Sequence, residues 1–110
     1  MSRRGSKVSQ ALTLREVFAR NVRAVRVNAA ISQERMAAEA GLDRAFVGTL
    51  ERGQRNISID NIERLAKTLG VEPHELMNPA LPELRGLDVS LTRAPRSVRP
   101  YTVPRRSIKS

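Results

Sequence analysis

The chain is expected to fold as an all-α domain, because its central stretch is a series of short amphipathic segments punctuated by capping residues and glycines. From Leu14 to Met77 apolar residues recur at three- and four-residue steps. No segment in that stretch alternates with the period of two that a half-buried strand needs. From Pro79 onward the pattern breaks, and prolines alternate with arginines and serines.

Five helices are expected. The first runs from Leu14 to Ala29, with Leu14, Phe18, Val22 and Val25 along one face and Arg15, Arg20, Arg23 and Arg26 on the flanks. Thr13 caps it, and Glu16 at the third helical position completes a capping box. Ser32 caps a second, short helix through Ala40, with Glu34 in the first turn, where the helix dipole favours an anion. Met36, Ala37 and Ala40 form its apolar stripe, and Gly41 stops it. Asp43 is placed to cap a third helix, Arg44 to Arg52, whose buried face is Phe46, Val47 and Leu50, with Gly53 beyond its end. A fourth helix, capped by Ser58, reaches Leu69 with Ile62, Leu65, Ala66 and Leu69 inside and Gly70 as terminator. A last turn or two, Pro73 to Met77, starts on a proline, which the first helical position tolerates.

Residues 79–110 read differently. Five of the six prolines lie there, and each removes a backbone donor and restricts its predecessor, so no long helix is expected. Leu87, Val89 and Leu91 alternate with polar residues and allow one short strand. The chain thus divides into a basic N-terminal arm (1–13), a helical domain (14–78) and a basic, Pro/Arg-rich, mostly irregular tail (79–110).

With 110 residues the chain has room for one modest domain and a tail, not for a roomy catalytic cleft with its own lid. It holds no cysteine, which excludes disulfides, thiolate metal sites and cysteine nucleophiles. No apolar run approaches the roughly 18 residues that span a bilayer, and the basic start lacks the apolar stretch of a signal peptide. A cytoplasmic, nucleoid-associated protein is the simplest expectation, with no membrane partner. The formal net charge of +9 favours a polyanionic partner. That charge is unevenly spread: residues 14–78 carry a net +1, the arm +3 and the tail +5.

Residues 32–53 carry the sharpest signal. Ala37 is small where a second short helix must cross closely, Gly41 allows a sharp turn, and Leu42, Val47 and Leu50 pin the second helix steeply against the first. The opposite face, with Arg44, Ala45, Gly48 and Thr49, is left to project, and a helix of this size fits the major groove of B-DNA. Here the chain resembles the Cro and phage-repressor helix-turn-helix family across about residues 14–78. The resemblance rests on Val22-Arg23-Ala24-Val25-Arg26, Ser32-Gln33-Glu34, the Ala37/Gly41/Val47 spacing and Leu50-Glu51-Arg52-Gly53. It continues through Ile62, Leu65-Ala66, Leu69-Gly70-Val71 and Glu75-Leu76. Within the family, Arg44-Ala45-Phe46-Val47 and Gly53-Gln54-Arg55-Asn56-Ile57-Ser58 look most like the controller proteins of restriction–modification systems.

The resemblance implies a compact five-helix repressor-type fold with double-stranded DNA as partner. It implies base reading by Arg44, Ala45 and Thr49: Arg44 on guanine O6 and N7, and Thr49 or Ala45 on a thymine methyl. Gln33 would touch a backbone phosphate and brace the reading helix, and Arg52, Arg55 and Asn56 would touch phosphates. Ser58 would add a contact or simply cap. Arg26 and Glu51 match an internal ion pair tying the first helix to the reading helix. Gly48 either brings the helix backbone close to DNA or is merely tolerated, at about 1 kcal/mol against Ala. Asp43 either accepts from cytosine N4 or caps.

Plainer roles compete. Arg20, Arg23, Arg64 and Lys67 read as solvated faces, and Met36, Phe46 and Met77 as core. His74 is the lone histidine, with no second histidine to complete a zinc-binding helix. No nucleophile–base pair, phosphate-cradling glycine loop or metal cluster is found, so neither enzyme activity nor a cofactor is expected. The tail admits three roles: inert and disordered, a generic phosphate binder through Arg93, Arg96, Arg99, Arg105 and Arg106, or a segment that folds on a protein partner.

The primary expectation is a transcriptional regulator, a repressor where its site overlaps a promoter, that acts as a homodimer on an inverted-repeat operator. By resemblance the dimer forms around Glu72 to Met77 with part of the fourth helix. The alternative is an antitoxin-like or anti-regulator module that binds a protein partner through residues 79–110. An architectural protein with salt-steep, sequence-blind DNA affinity is the third.

Overall fold

The structure, a computed structural model, describes residues 12–88 and Ser90. Within them the chain forms six helices and no strand: α1 Leu14–Asn28, α2 Gln33–Ala40, α3 Arg44–Glu51, α4 Ile59–Leu69, α5 Pro73–Leu76 and α6 Leu81–Arg85. Val89 and Leu91, which the allowed strand needs, and most of the N-terminal arm lie outside the described residues.

Local chemistry sets the helix starts. Thr13 Oγ1 accepts from the Glu16 amide at 3.1 Å while the Glu16 carboxylate accepts from the Thr13 amide at 2.9 Å, closing the capping box. Ser32 and Ser58 accept from the amides of Arg35 and Asn61, satisfying donors that the first helical turn leaves unpaired. Asp43 departs from expectation. It occupies the N-cap position of α3, but its side chain makes no capping hydrogen bond. The turn between α1 and α2 places Ala30, a non-glycine residue, in the left-handed region at φ 59°.

α1 is the spine of the fold and packs against α3, α4, α5 and α6, while α2 packs across α3 and α4. Phe18, Val22 and Val25 meet Met36, Ala37, Val47, Leu50, Leu65, Leu76 and Leu81 in one core. Burying each large aliphatic side chain stabilises the fold by about 1.5–3 kcal/mol. Leu14 does not join them; it starts the helix and is 61% exposed.

The sixth helix lies in the stretch expected to be mostly irregular. Pro82 falls in its first turn, where the missing amide costs nothing, and Leu81 beside it is fully buried. Polar contacts strap the segment to α1. The buried Asn21 amide donates to the carbonyls of Leu76 and Asn78 at 3.0 and 2.8 Å, and Arg20 Nη2 donates to the Pro79 carbonyl at 2.7 Å. Arg20 is therefore a half-buried clamp and not a solvated flank. Arg85 forks onto Glu75, Nε to Oε2 at 3.0 Å and Nη2 to Oε1 at 2.9 Å. The Arg85 guanidinium and the Glu72 amide together hold the Glu75 carboxyl at about 2, down from 4.5. Farther on, Asn28 and Asp88 bond reciprocally: the Asp88 amide donates to Asn28 Oδ1 at 2.9 Å, and Asn28 Nδ2 to the Asp88 carbonyl at 3.4 Å.

Candidate nucleic-acid interface

The α2–turn–α3 unit is built by the residues between its helices. Gly41 closes α2 at φ 72°, a conformation that costs a side-chain-bearing residue about 1 kcal/mol or more. The amide of Leu42 then reaches back to the Ala37 carbonyl at 2.8 Å, and α3 starts within three residues. Val47 and Leu50 face the core from α3. Arg44 and Ala45 are exposed on its other side, and Thr49 is half-buried.

Glu51, the last residue of α3, fixes the direction of that helix. Its side chain is 1% exposed and receives three partners. Arg26 forks onto it, Nε to Oε2 at 2.6 Å and Nη2 to Oε1 at 2.9 Å. Gln33 Nε2 donates to Oε1 at 3.0 Å, and Arg23 Nη1 lies 3.6 Å from the same oxygen. Arg26 also donates from Nη1 to the Ile31 carbonyl at 2.8 Å. One buried carboxylate thus joins α1, the start of α2 and the end of α3. Arg23, read from sequence as a solvated flank, is part of this junction. An amide nitrogen carries two donors, so Gln33 keeps one for a second acceptor outside the fold.

The exposed face carries mixed charge. Arg44 Nε lies 3.4 Å from Glu34 Oε2 across the two motif helices, with both side chains more than half exposed. Such an exposed pair is worth about 0–1 kcal/mol, so it leaves the Arg44 guanidinium available to other partners. The Thr49 hydroxyl donates to the Phe46 carbonyl at 2.9 Å, which commits its one proton to the backbone of its own helix. Gly48 is buried, against the expectation that it projects. A Cβ there would stand 3.7 Å from Arg52 Nη1, an ordinary van der Waals separation.

Beyond α3 the chain turns at Gly53, φ 74°, with the Gln54 amide returning to the Thr49 carbonyl at 3.0 Å. Arg52 is exposed, and its Nε donates to Gln54 Oε1 at 3.2 Å. Arg55 lies over the Phe46 ring, 5.0 Å from its centroid, within cation–π range. Asn56 Oδ1 accepts from Arg15 Nη2, an exposed residue at the start of α1 that sequence reasoning left on a flank. The structure therefore brings Arg15, Arg52, Arg55 and Asn56 to the loop that follows α3, while Ser58 serves as a cap. No residue pattern could have revealed the Arg15–Asn56 contact, since 41 positions separate the pair. Among the described residues no His/Cys/Asp/Glu group is arranged to hold a metal, and no helix is long and apolar enough to cross a membrane.

Comparisons with known proteins agree with this geometry. A helix-turn-helix family model matches residues 22–76. Control protein C.BamHI of Bacillus amyloliquefaciens is 42% identical over 66 residues, 59% of this chain and 82% of that protein. The restriction–modification controller protein C.AhdI from Aeromonas hydrophila superposes with a TM-score of 0.55 at 47% identity, covering 56% of this chain and 94% of that structure. A hypothetical transcription factor from Neisseria superposes with a TM-score of 0.61 at 44% identity, covering 66% and 84%. The chain belongs to the helix-turn-helix family of Cro/C1-type DNA-binding transcription regulators, alongside restriction–modification control proteins.

Proposed function

We propose that this regulator binds an inverted-repeat operator as a homodimer, each protomer laying α3 in the major groove of one half-site. The observation that carries the proposal is the outer face of α3, where Arg44 and Ala45 are exposed and Thr49 half-buried, while Glu51 anchors the end of the helix to α1. Arg44 reads a guanine edge, and the methyl groups of Ala45 and Thr49 meet thymine methyls. Gln33 uses its second amide donor on a phosphate, braced by Glu51. Arg52, Arg55 and Asn56 clamp the backbone on the other side of the reading helix, and Arg15 supports Asn56.

Three base-facing side chains give one protomer too little discrimination to find a site in a genome, and two-fold pairing doubles the contacts. The pairing face is assigned to α4 and α5. Leu76 itself is fully buried in the core, so the contact falls on neighbours such as Ile59, which is 82% exposed at the start of α4. The sign of regulation then follows from position. A site overlapping a promoter gives repression, and one just upstream gives activation.

Selection of duplex DNA from a random pool, with the full chain at near-physiological salt, tests this. Recovery of a two-fold symmetric motif supports it. A folded protein that recovers no motif overturns it.

A further inference from the structure

We propose that Glu34 is a specificity-determining residue: its carboxylate, set against Arg44, holds the reading arginine back from backbone phosphates and leaves it free to grip a guanine. This rests on the operator-binding reading above. It adds to that site a residue of α2 that acts on selectivity and not on grip.

The contact joins the first turn of α2 to the first residue of α3. Gln33 opens α2 and reaches the buried Glu51, whereas Glu34, the next residue, reaches the exposed Arg44. Arg44 Nε lies 3.4 Å from Glu34 Oε2, with the two side chains 55% and 70% exposed. Among the described residues Glu34 has no other cationic partner and Arg44 no other acidic one. The second carboxylate of α2, Glu39, is taken by Arg35 at 2.9 Å. Capping of α2 does not use Glu34 either, since the Ser32 hydroxyl accepts from the Arg35 amide at 3.0 Å.

The nitrogen that Glu34 meets decides the consequence. A guanidinium carries one N–H on Nε and four on its terminal nitrogens. With Glu34 against Nε, the Nη1 and Nη2 donors remain for O6 and N7 of a guanine. On its operator the protein therefore reads the base and keeps the ion pair. A random duplex attracts the protein chiefly through its phosphates. To meet a phosphate, Arg44 must leave Glu34 or carry that carboxylate up against an anionic oxygen, and either course weakens generic binding. The exposed pair is weak, but selectivity is a difference of two affinities, and a small term that acts on one of them is enough.

The test measures Kd across a salt series on the selected operator and on random duplex of equal length. The full-length proteins are wild type, Glu34→Gln, Glu39→Gln, Arg44→Ala and the double variant Glu34→Gln/Arg44→Ala. Glu34→Gln keeps an acceptor for Nε and removes only the charge. It should lower the ratio of operator to random-duplex affinity by about two- to fivefold per protomer. On random duplex it should also steepen log Kd against log salt by up to about one unit per protomer, as Arg44 gains a phosphate. Glu39→Gln removes the same charge from the same helix and should leave the ratio in place. In the Arg44→Ala background, Glu34→Gln should no longer move the ratio. A role in helix stability alone would lower the melting temperature and spare the ratio.

The proposal is overturned by a ratio that Glu34→Gln does not move, by an equal fall in Glu39→Gln, or by the same fall in the absence of Arg44. If the selection yields no operator, the operator reading fails by itself, and the random-duplex slope decides on Glu34. A steeper slope that depends on Arg44 supports its role, and an unchanged slope overturns it.

Discussion

Arg26 grips Glu51 in a two-point fork, at 2.6 and 2.9 Å, and through it the first helix is tied to the end of α3. Both residues are buried, so neither charge is tolerable alone. Arg26→Met should cost about 3–5 kcal/mol in urea unfolding, because it leaves the Glu51 carboxylate in a dry site. The double change Arg26→Met/Glu51→Leu should recover much of that loss. A single-variant cost under about 1 kcal/mol would show that Arg23 and Gln33 suffice.

Leu81 seals the bottom of the core from a segment that contains two nearby prolines. Leu81→Ala should cost about 2–5 kcal/mol, the range for a fully buried leucine whose site cannot collapse. Circular-dichroism melting reads this directly. An unchanged melting temperature would mean that α6 contributes nothing to the folded domain.

Much of the helical pattern was legible in the sequence, for physical reasons that act over three or four residues. Thr13, Ser32 and Ser58 meet the amides three positions on, and Gly41 and Gly70 take the left-handed caps. What stayed hidden depends on distant partners. Pro79 and Pro82 read as loop composition, and only the burial of Leu81 against α1, with Arg20 and Asn21 bonding carbonyls 55–59 residues away, makes a helix there. Asp43 has the right type and place for a cap, yet its carboxylate is unspent on the helix. Gly48 lies on the face that periodicity assigns to solvent, but the Arg52 side chain packs beside it. The exposed positions of α3 were legible by the spacing of Val47 and Leu50. The partners that hold the junction, Arg23 above all, were not.

Gly48 sits in the interior of α3 with room for a methyl group. Gly48→Ala should therefore stabilise the fold by up to about 1 kcal/mol, through helix propensity alone. Differential scanning calorimetry should show a rise in melting temperature. A fall would mean that the Arg52 side chain cannot yield.

Glu75 carries a pH signature. Its folded value near 2 lies below its ordinary 4.5, chiefly through the hydrogen bond from Arg85, so the pair stabilises the fold above about pH 4.5. That contribution is lost as pH falls toward 2. Arg85→Ala should lower the melting temperature at pH 7, and the gap to wild type should shrink between about pH 4.5 and 2. A gap that stays constant down to pH 2 would assign the effect to packing and not to the ion pair.

The central claim, that α3 reads bases through its exposed face, is tested most directly by repeating the duplex selection with Arg44→Ala. The account predicts the same two-fold motif with one base position relaxed in each half-site, and a loss of about 1–3 kcal/mol per altered contact on the wild-type operator. An equal loss of affinity on every sequence, with the motif unchanged, would contradict it and make Arg44 a phosphate contact.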